Sequence, residues 1–201
     1  MFTIHANING KVLPLLYALI PNKKEKSYTK MFNMIKNYVK APKSFNCDFE
    51  KAILNATKKS FKDVKVNGCF FHLAQNLWRH LQQNGLTDEY NKGKKIYKSF
   101  QLLKCLPFLP VADVVDGFNL VKSKSPVEFN PMLDYFETYY IGNFKRNSKS
   151  IRETPLFPIC LWNVYDRVLV DLARTNNSLE VWHKNFEVLF MCLIYFVVVF
   201  L

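Results

Sequence analysis

"KSFNCDFEKAILNATKKSFKDVKVNGCFFHLAQNLWRHLQQNG", Lys43 to Gly85, is the stretch whose reading decides the fold. It opens as a short extended run that stops at Asp48. In "KAILNATKKSF" Ala52, Ile53 and Ala56 then recur at helical spacing. "DVKVNGCFF" returns to strand composition and runs through Gly68. "HLAQNLWRHLQQNG" places Leu73, Leu77 and Leu81 on one helical stripe, with Gly85 positioned as its C-terminal stop. Strand, helix, strand, helix is an α/β order.

Working upstream, "FTIHANI" (Phe2–Ile8) and "KVLPLLYALI" (Lys11–Ile20) are β-rich runs separated by Asn9 and Gly10, a strong hairpin signal. Pro21 and Asn22 end the second run. Ser27 or Thr29 is then expected to open a first helix over "KMFNMIKNYV", with Met31, Met34, Ile35 and Val39 near helical spacing.

Downstream the pattern changes. From Asn91 to about Ser150 the periodicity is helical and interrupted by prolines, in "KKIYKSFQLLKCL", "VADVVDGFNLV" and "PMLDYFETYYI". "NFKRNSKSIRE" is a polar, basic loop. "ICLWNVYDRVLVDLA" is amphipathic at helical spacing, and Asn176 and Asn177 interrupt it before "SLEVWHKNFEVL". The division expected is an α/β core over residues 1–87, a helical insertion over 88–170, a final core helix over 171–187 and an apolar tail over 188–201. No internal repeat or low-complexity tract interrupts this organisation.

The 201 residues suffice for one domain with a substantial core, and 49% hydrophobic and 15% aromatic content argues against a disordered chain. Lys and Arg number 28 against 16 Asp and Glu, for a formal charge of +12. The excess is uneven: residues 1–65 hold 13 Lys and no Arg against only Glu25, Asp48, Glu50 and Asp63. Such a balance fits a polyanionic partner, nucleic acid or an anionic membrane surface; a merely lysine-rich solvated face is the plain alternative. The five cysteines (Cys47, Cys69, Cys105, Cys160, Cys192) are scattered and odd in number, which points to a reducing compartment rather than a disulfide framework. The amino-terminal residues lack the basic start and apolar run of a signal peptide. Val188–Leu201, "VLFMCLIYFVVVFL", is uninterruptedly apolar but shorter than the roughly 20 residues a bilayer crossing takes.

Three places hold candidate chemistry, and each has an ordinary reading beside it. Asp48 ends a strand, where α/β folds place ligand sites, and could hold a divalent cation. It could equally cap a helix starting at Phe49. Cys69 and His72 form a lone CxxH at the start of a helix, too few ligands for a structural zinc site; a buried thiol with a helix-start imidazole suffices, and no structural zinc is expected. Glu180 follows Asn176, Asn177 and Ser178 near a helix start, where a carboxylate complements the helix dipole. The P-loop, GxGxxG, GxSxG and HExxH patterns are all absent, which leaves nucleotide hydrolysis, dinucleotide chemistry, serine hydrolysis and zincin chemistry without support.

Taken in order, "LYALIPNKKEKSYTKMFNMIK", "NCDFEKAILNA", "VNGCFFHLAQNLWRHLQQNGL" and "RTNNSLEVWHKNF" resemble the Mutator-like element (MULE) transposase domain across about residues 2–187. The resemblance implies a ribonuclease-H-like fold: a mixed sheet with flanking helices and an all-helical insertion before the last helix. It also implies DNA strand cleavage and transfer at transposon ends by a DDE triad with two Mg²⁺ or Mn²⁺ ions, one activating the nucleophile and the other stabilising the leaving oxygen. Mapped by motif, Asp48 in "CDFE" is the second carboxylate and Glu180 in "RTNNSLE" the third, both catalytic and metal-binding. Cys69 and His72 match the family's CxxH, and Asn176, Asn177, Trp182 and His183 its last motif, all in supporting roles.

The family's first aspartate is implied on a strand upstream of "FTIHANI", within a D-G-T-F-like segment. This sequence begins at Met1 and Phe2, and no Asp precedes Asp48. The expectation is therefore an incomplete sheet lacking its first strand, in a truncated fragment that is inactive as this chain. DNA is the expected partner, self-association is compatible with the family, and the nucleus is the implied location. The alternatives are a domesticated, non-catalytic DNA-binding protein and, less favoured, a tail-anchored membrane protein held by residues 188–201.

Overall fold

The computed structural model describes residues 2–8, 11–39, 42–148 and 150–170. The fold is α/β, as expected. Strands β1 (Phe2–Ile8) and β2 (Lys11–Ala18) pair antiparallel, in a register that sets Ile8 against Lys11. The turn residues Asn9 and Gly10 lie outside the described residues. The ladder shifts between Ile4, opposite Leu16, and His5, opposite Pro14, so that Leu15 has no partner. Proline has no N–H to give a ladder, and a bulge beside it is where a strand tolerates one.

The second sheet is parallel: β3 (Ser44–Cys47) runs beside β4 (Lys65–Gly68), joined by helix α2 (Lys51–Ser60). Parallel neighbours need such a crossover, and a helix supplies it. Among the described residues the two pairs of strands are separate two-stranded sheets. Helix α1 (Glu25–Ile35) packs on α2, and α3 (Phe70–Gln83) follows β4 directly.

Helix α1 starts earlier than its sequence pattern suggests. The Asn22 Oδ1 accepts from the Lys24 backbone N–H (3.1 Å) and from the Ser27 hydroxyl (2.8 Å), which sets the chain's entry before Glu25. Ser27 and Thr29 therefore sit inside the helix, Thr29 donating back to the Glu25 carbonyl. The buried stripe becomes Tyr28, Met31 and Phe32, with Ile35 packed against it, while Met34 and Val39 face outward. Helix α3 keeps its expected stripe: Leu73, Leu77 and Leu81 are buried. It ends in a Schellman arrangement, with Leu86 N–H donating to the Leu81 carbonyl and Gly85 N–H to that of Gln82. Gly85 has φ +68°, the left-handed conformation that a glycine adopts without penalty.

The remainder is helical: α4 (Thr87–Lys92), α5 (Lys94–Cys105), α6 (Val114–Lys124), α7 (Asn130–Phe136) continued by a wider π turn over Glu137–Ile141, α8 (Ile159–Trp162) and α9 (Tyr165–Leu169). The short α4 carries no buried residue and has no apolar stripe to announce it. The single amphipathic helix expected from Ile159 onward is broken instead. Asn163 leaves the helical conformation, donates its amide to the Leu109 carbonyl (2.8 Å) and accepts from the Tyr165 N–H (3.0 Å). These bonds cap both pieces more effectively than a continuous helix would allow.

One hydrophobic core runs unbroken from Tyr28 and Phe32 through Leu77 and Leu103 to Phe136 and Trp162. Its aromatic centre is tied by the Trp162 indole N–H, shared between the carbonyls of Tyr140 and Phe157. Each fully buried apolar side chain of this size contributes about 1.5–3 kcal/mol. No helix among the described residues is long and apolar enough to cross a membrane.

Candidate functional site

The parallel register brings Cys47 opposite Gly68, and the Cys69 N–H extends the ladder by donating to the Cys47 carbonyl at 3.0 Å. Both strands therefore end side by side, Asp48 leaving one and α3 leaving the other. The first turn of α3 stands next to Asp48, and its His72 Nδ1 lies 2.9 Å from the Asp48 Oδ1. Asp48 is exposed and His72 half-buried, so the pair forms a polar rim above a closed interior. Asp48 does not cap the following helix: α2 begins at Lys51, and Glu50 holds its cap position without a side-chain capping bond. Its carboxylate is committed to His72 instead.

That commitment sets the charge of the site. The hydrogen bond to Asp48 raises the His72 pKa from 6.5 to about 10, with a second bond to Cys69 acting in the same direction against the opposing effect of burial. His72 is then an imidazolium at neutral pH, donating Nδ1–H to the carboxylate. Cys69 is the cap residue of α3 and is closed off from solvent. Three residues along a helix separate it from His72, a spacing that puts both side chains on one face. The neighbouring Cys47 is also buried, and burial first of all, with the nearby Asp48 charge second, pushes its thiol up to about 12. The Cys47 thiol is therefore not a reactive nucleophile in this environment.

Two further contacts reach the site from a distance. Tyr28 of α1 is pushed up to about 12, chiefly by burial, then by the charge of Glu50 and a hydrogen bond to it. Phe2 of β1 stacks edge-on against the Tyr28 ring at 5.3 Å. From α9, the buried Arg167 donates Nη2–H to the Gly68 carbonyl at 3.1 Å and clamps the end of β4. Neither Tyr28 nor Arg167 carries a sequence signal of this role: Tyr28 lies between the two candidate helix starts, Ser27 and Thr29, and Arg167 reads as a polar position on an amphipathic helix.

Gly68 is held by packing. A Cβ placed there would come within 2.5 Å of the Phe49 ring, which stacks in turn against Phe157 and Tyr140. Phe49 thus covers the end of β4, and its neighbour Asp48 reaches His72 of α3.

A divalent cation such as Mg²⁺ takes several oxygen ligands. Among the described residues no group of three His, Cys, Asp or Glu is placed to hold a metal ion. The Asp48 Oδ1 is already engaged by the His72 Nδ1, so the described residues do not by themselves fit a two-metal centre. Glu180, Asn176, Asn177, Trp182 and His183 lie outside the described residues, as does the apolar run 188–201.

Residues 1–76 match the family model of the MULE transposase domain. The match contains Asp48, Cys69 and His72 and ends inside α3. No curated protein and no solved structure matches the chain.

Proposed function

From the MULE transposase domain that residues 1–76 carry, we propose a transposase-derived protein whose partner is duplex DNA and which, as this chain, holds DNA without cutting it. The match over residues 1–76 carries the reading. What supports its non-catalytic half is the position of Asp48, whose Oδ1 is engaged by the His72 Nδ1 at 2.9 Å. Phosphoryl transfer with two metals requires several convergent carboxylates to bridge both ions. Asp48 and Glu180 are the residues we assign to a divalent cation, Mg²⁺ or Mn²⁺, in the ancestral activity. A cation at Asp48 has to displace the imidazolium or share the carboxylate with it. A duplex-DNA partner supports our assignment of the protein to the nucleus, and residues 1–87 are the part we assign to the ancestral core.

The test is incubation of the purified chain with a labelled duplex in Mg²⁺ or Mn²⁺. Retention of the duplex without strand scission is expected. Scission that disappears in Asp48→Asn would overturn the non-catalytic half while leaving the transposase ancestry intact.

A further inference from the structure

A cluster of exposed lysines lies away from Asp48, on the outer face of α1 and α2. Lys26 and Lys30 are one turn apart on α1, and Asn33 and Asn37 continue the same line. Lys59 of α2 faces them across an open groove of about 830 Å³. Through Lys59 the groove runs on into a second hollow of about 390 Å³ that Lys36 and Lys62 line. All five lysines are exposed. The one carboxylate lining either hollow is Glu25, and it is already bonded to Lys59 and to the Asn55 amide. Asp63 follows Lys62 in the chain but lines neither hollow.

We propose that this α1–α2 groove docks the sugar-phosphate backbone of duplex nucleic acid. The proposal rests on the DNA reading above and supplies the surface that reading lacks. Clustered lysines on one face are the electrostatic footprint of a phosphate-binding surface. The asparagines add neutral hydrogen-bond donors of the kind that also contact phosphate oxygens. Lys26 to Asn33 spans about 10 Å along the helix at 1.5 Å per residue, which covers about three phosphates of one strand at 3.4 Å of rise each. A flat anionic bilayer would meet the rims of such a hollow, whereas a convex phosphate strand fits within it. Lys59 lies about 12 Å along α2 from the residue that opens it, beyond the reach of Asp48's own contacts.

The test is fluorescence polarisation of a short labelled duplex, titrated with the full chain between about 50 and 200 mM salt. Lys26→Gln/Lys30→Gln/Lys62→Gln removes three exposed charges from the groove and leaves the Glu25 pair alone. Lys95→Gln/Lys98→Gln/Lys124→Gln removes the same charge from exposed positions on α5 and α6. The groove triple is expected to flatten the slope of log affinity against log salt by about 3 and to weaken binding at least tenfold at about 150 mM salt, at roughly 0.9 per lost phosphate contact. The control triple is expected to change the slope by less than about 1. Equal weakening by both triples would overturn the proposal, as would vesicles of phosphatidylserine outcompeting duplex for the groove. A parent chain that fails to bind duplex at all would instead remove the DNA reading on which the proposal rests.

Discussion

The Asp48 carboxylate and the His72 imidazole meet at 2.9 Å because β3 and β4 end side by side in parallel, so that a residue leaving one strand faces the first turn after the other. The contact raises the His72 pKa to about 10. A group whose pKa is higher in the folded state stabilises the fold fully below its unfolded value, near 6.5, and loses that contribution as pH rises through its folded value. The chain is therefore expected to lose stability between about pH 6.5 and pH 10. In Asp48→Asn, NMR titration of His72 is expected to move back toward 6.5, and the loss across that window to shrink. An unchanged titration would show that the pair does not form in solution.

Gly68 is the position at which β4 tolerates no side chain. Gly68→Ala is expected to cost about 1–3 kcal/mol, since a Cβ would meet the Phe49 ring at 2.5 Å and force it off its neighbours. The measurement is the denaturant midpoint. Phe49→Leu combined with Gly68→Ala should cost less than the two single changes added, because the smaller side chain leaves room for the methyl group. Simple additivity would place the strain elsewhere.

Glu137 opens the π turn and is largely buried, accepting from Lys122 at 2.6 Å and from Arg152 at 2.7 Å. Burial pushes its pKa up, but those two hydrogen bonds outweigh it and hold the carboxyl below the usual 4.5. A depressed carboxylate contributes stability above its unfolded pKa and loses it as pH falls through the folded value. Glu137→Gln is expected to lower stability by about 1–3 kcal/mol at neutral pH and by less in acid. A constant deficit from pH 7 down through the carboxylate range would contradict this.

Cys47 and Cys69 are closed off, whereas Cys105 and Cys160 are exposed. In a chain carrying Cys105→Ser, Cys160→Ser and Cys192→Ser, the two remaining thiols are expected to resist a thiol reagent at neutral pH until denaturant is added. Prompt labelling of either one under native conditions would mean that the ends of β3 and β4 open readily.

Much of the local structure was legible before any coordinates. The four-residue spacing of Leu73, Leu77 and Leu81 predicts α3 and its buried face, and Gly85 marks where that helix stops. Boundaries were less legible where side chains bond the backbone. Asn22 moves the start of α1, and Asn163 divides a helix that periodicity alone runs together. Met34 keeps helical spacing with Met31 and yet faces solvent, because Tyr28 and Phe32 already define the inner stripe. Period constrains which residues share a face, not which face is turned inward.

The sequence by itself determined the α/β order, the basic excess of the first third and the motifs on which the transposase resemblance rests. Those properties follow from local spacing and from charge, which need no folding to be read. Only the tertiary structure decided that Asp48 answers to His72, that Arg167 clamps Gly68, and that Lys26, Lys30 and Lys59 share one groove. Each of those meetings depends on strand register and on which helices pack together. Those are set by the sum of many long-range contacts in the core, and no short stretch of residues specifies them.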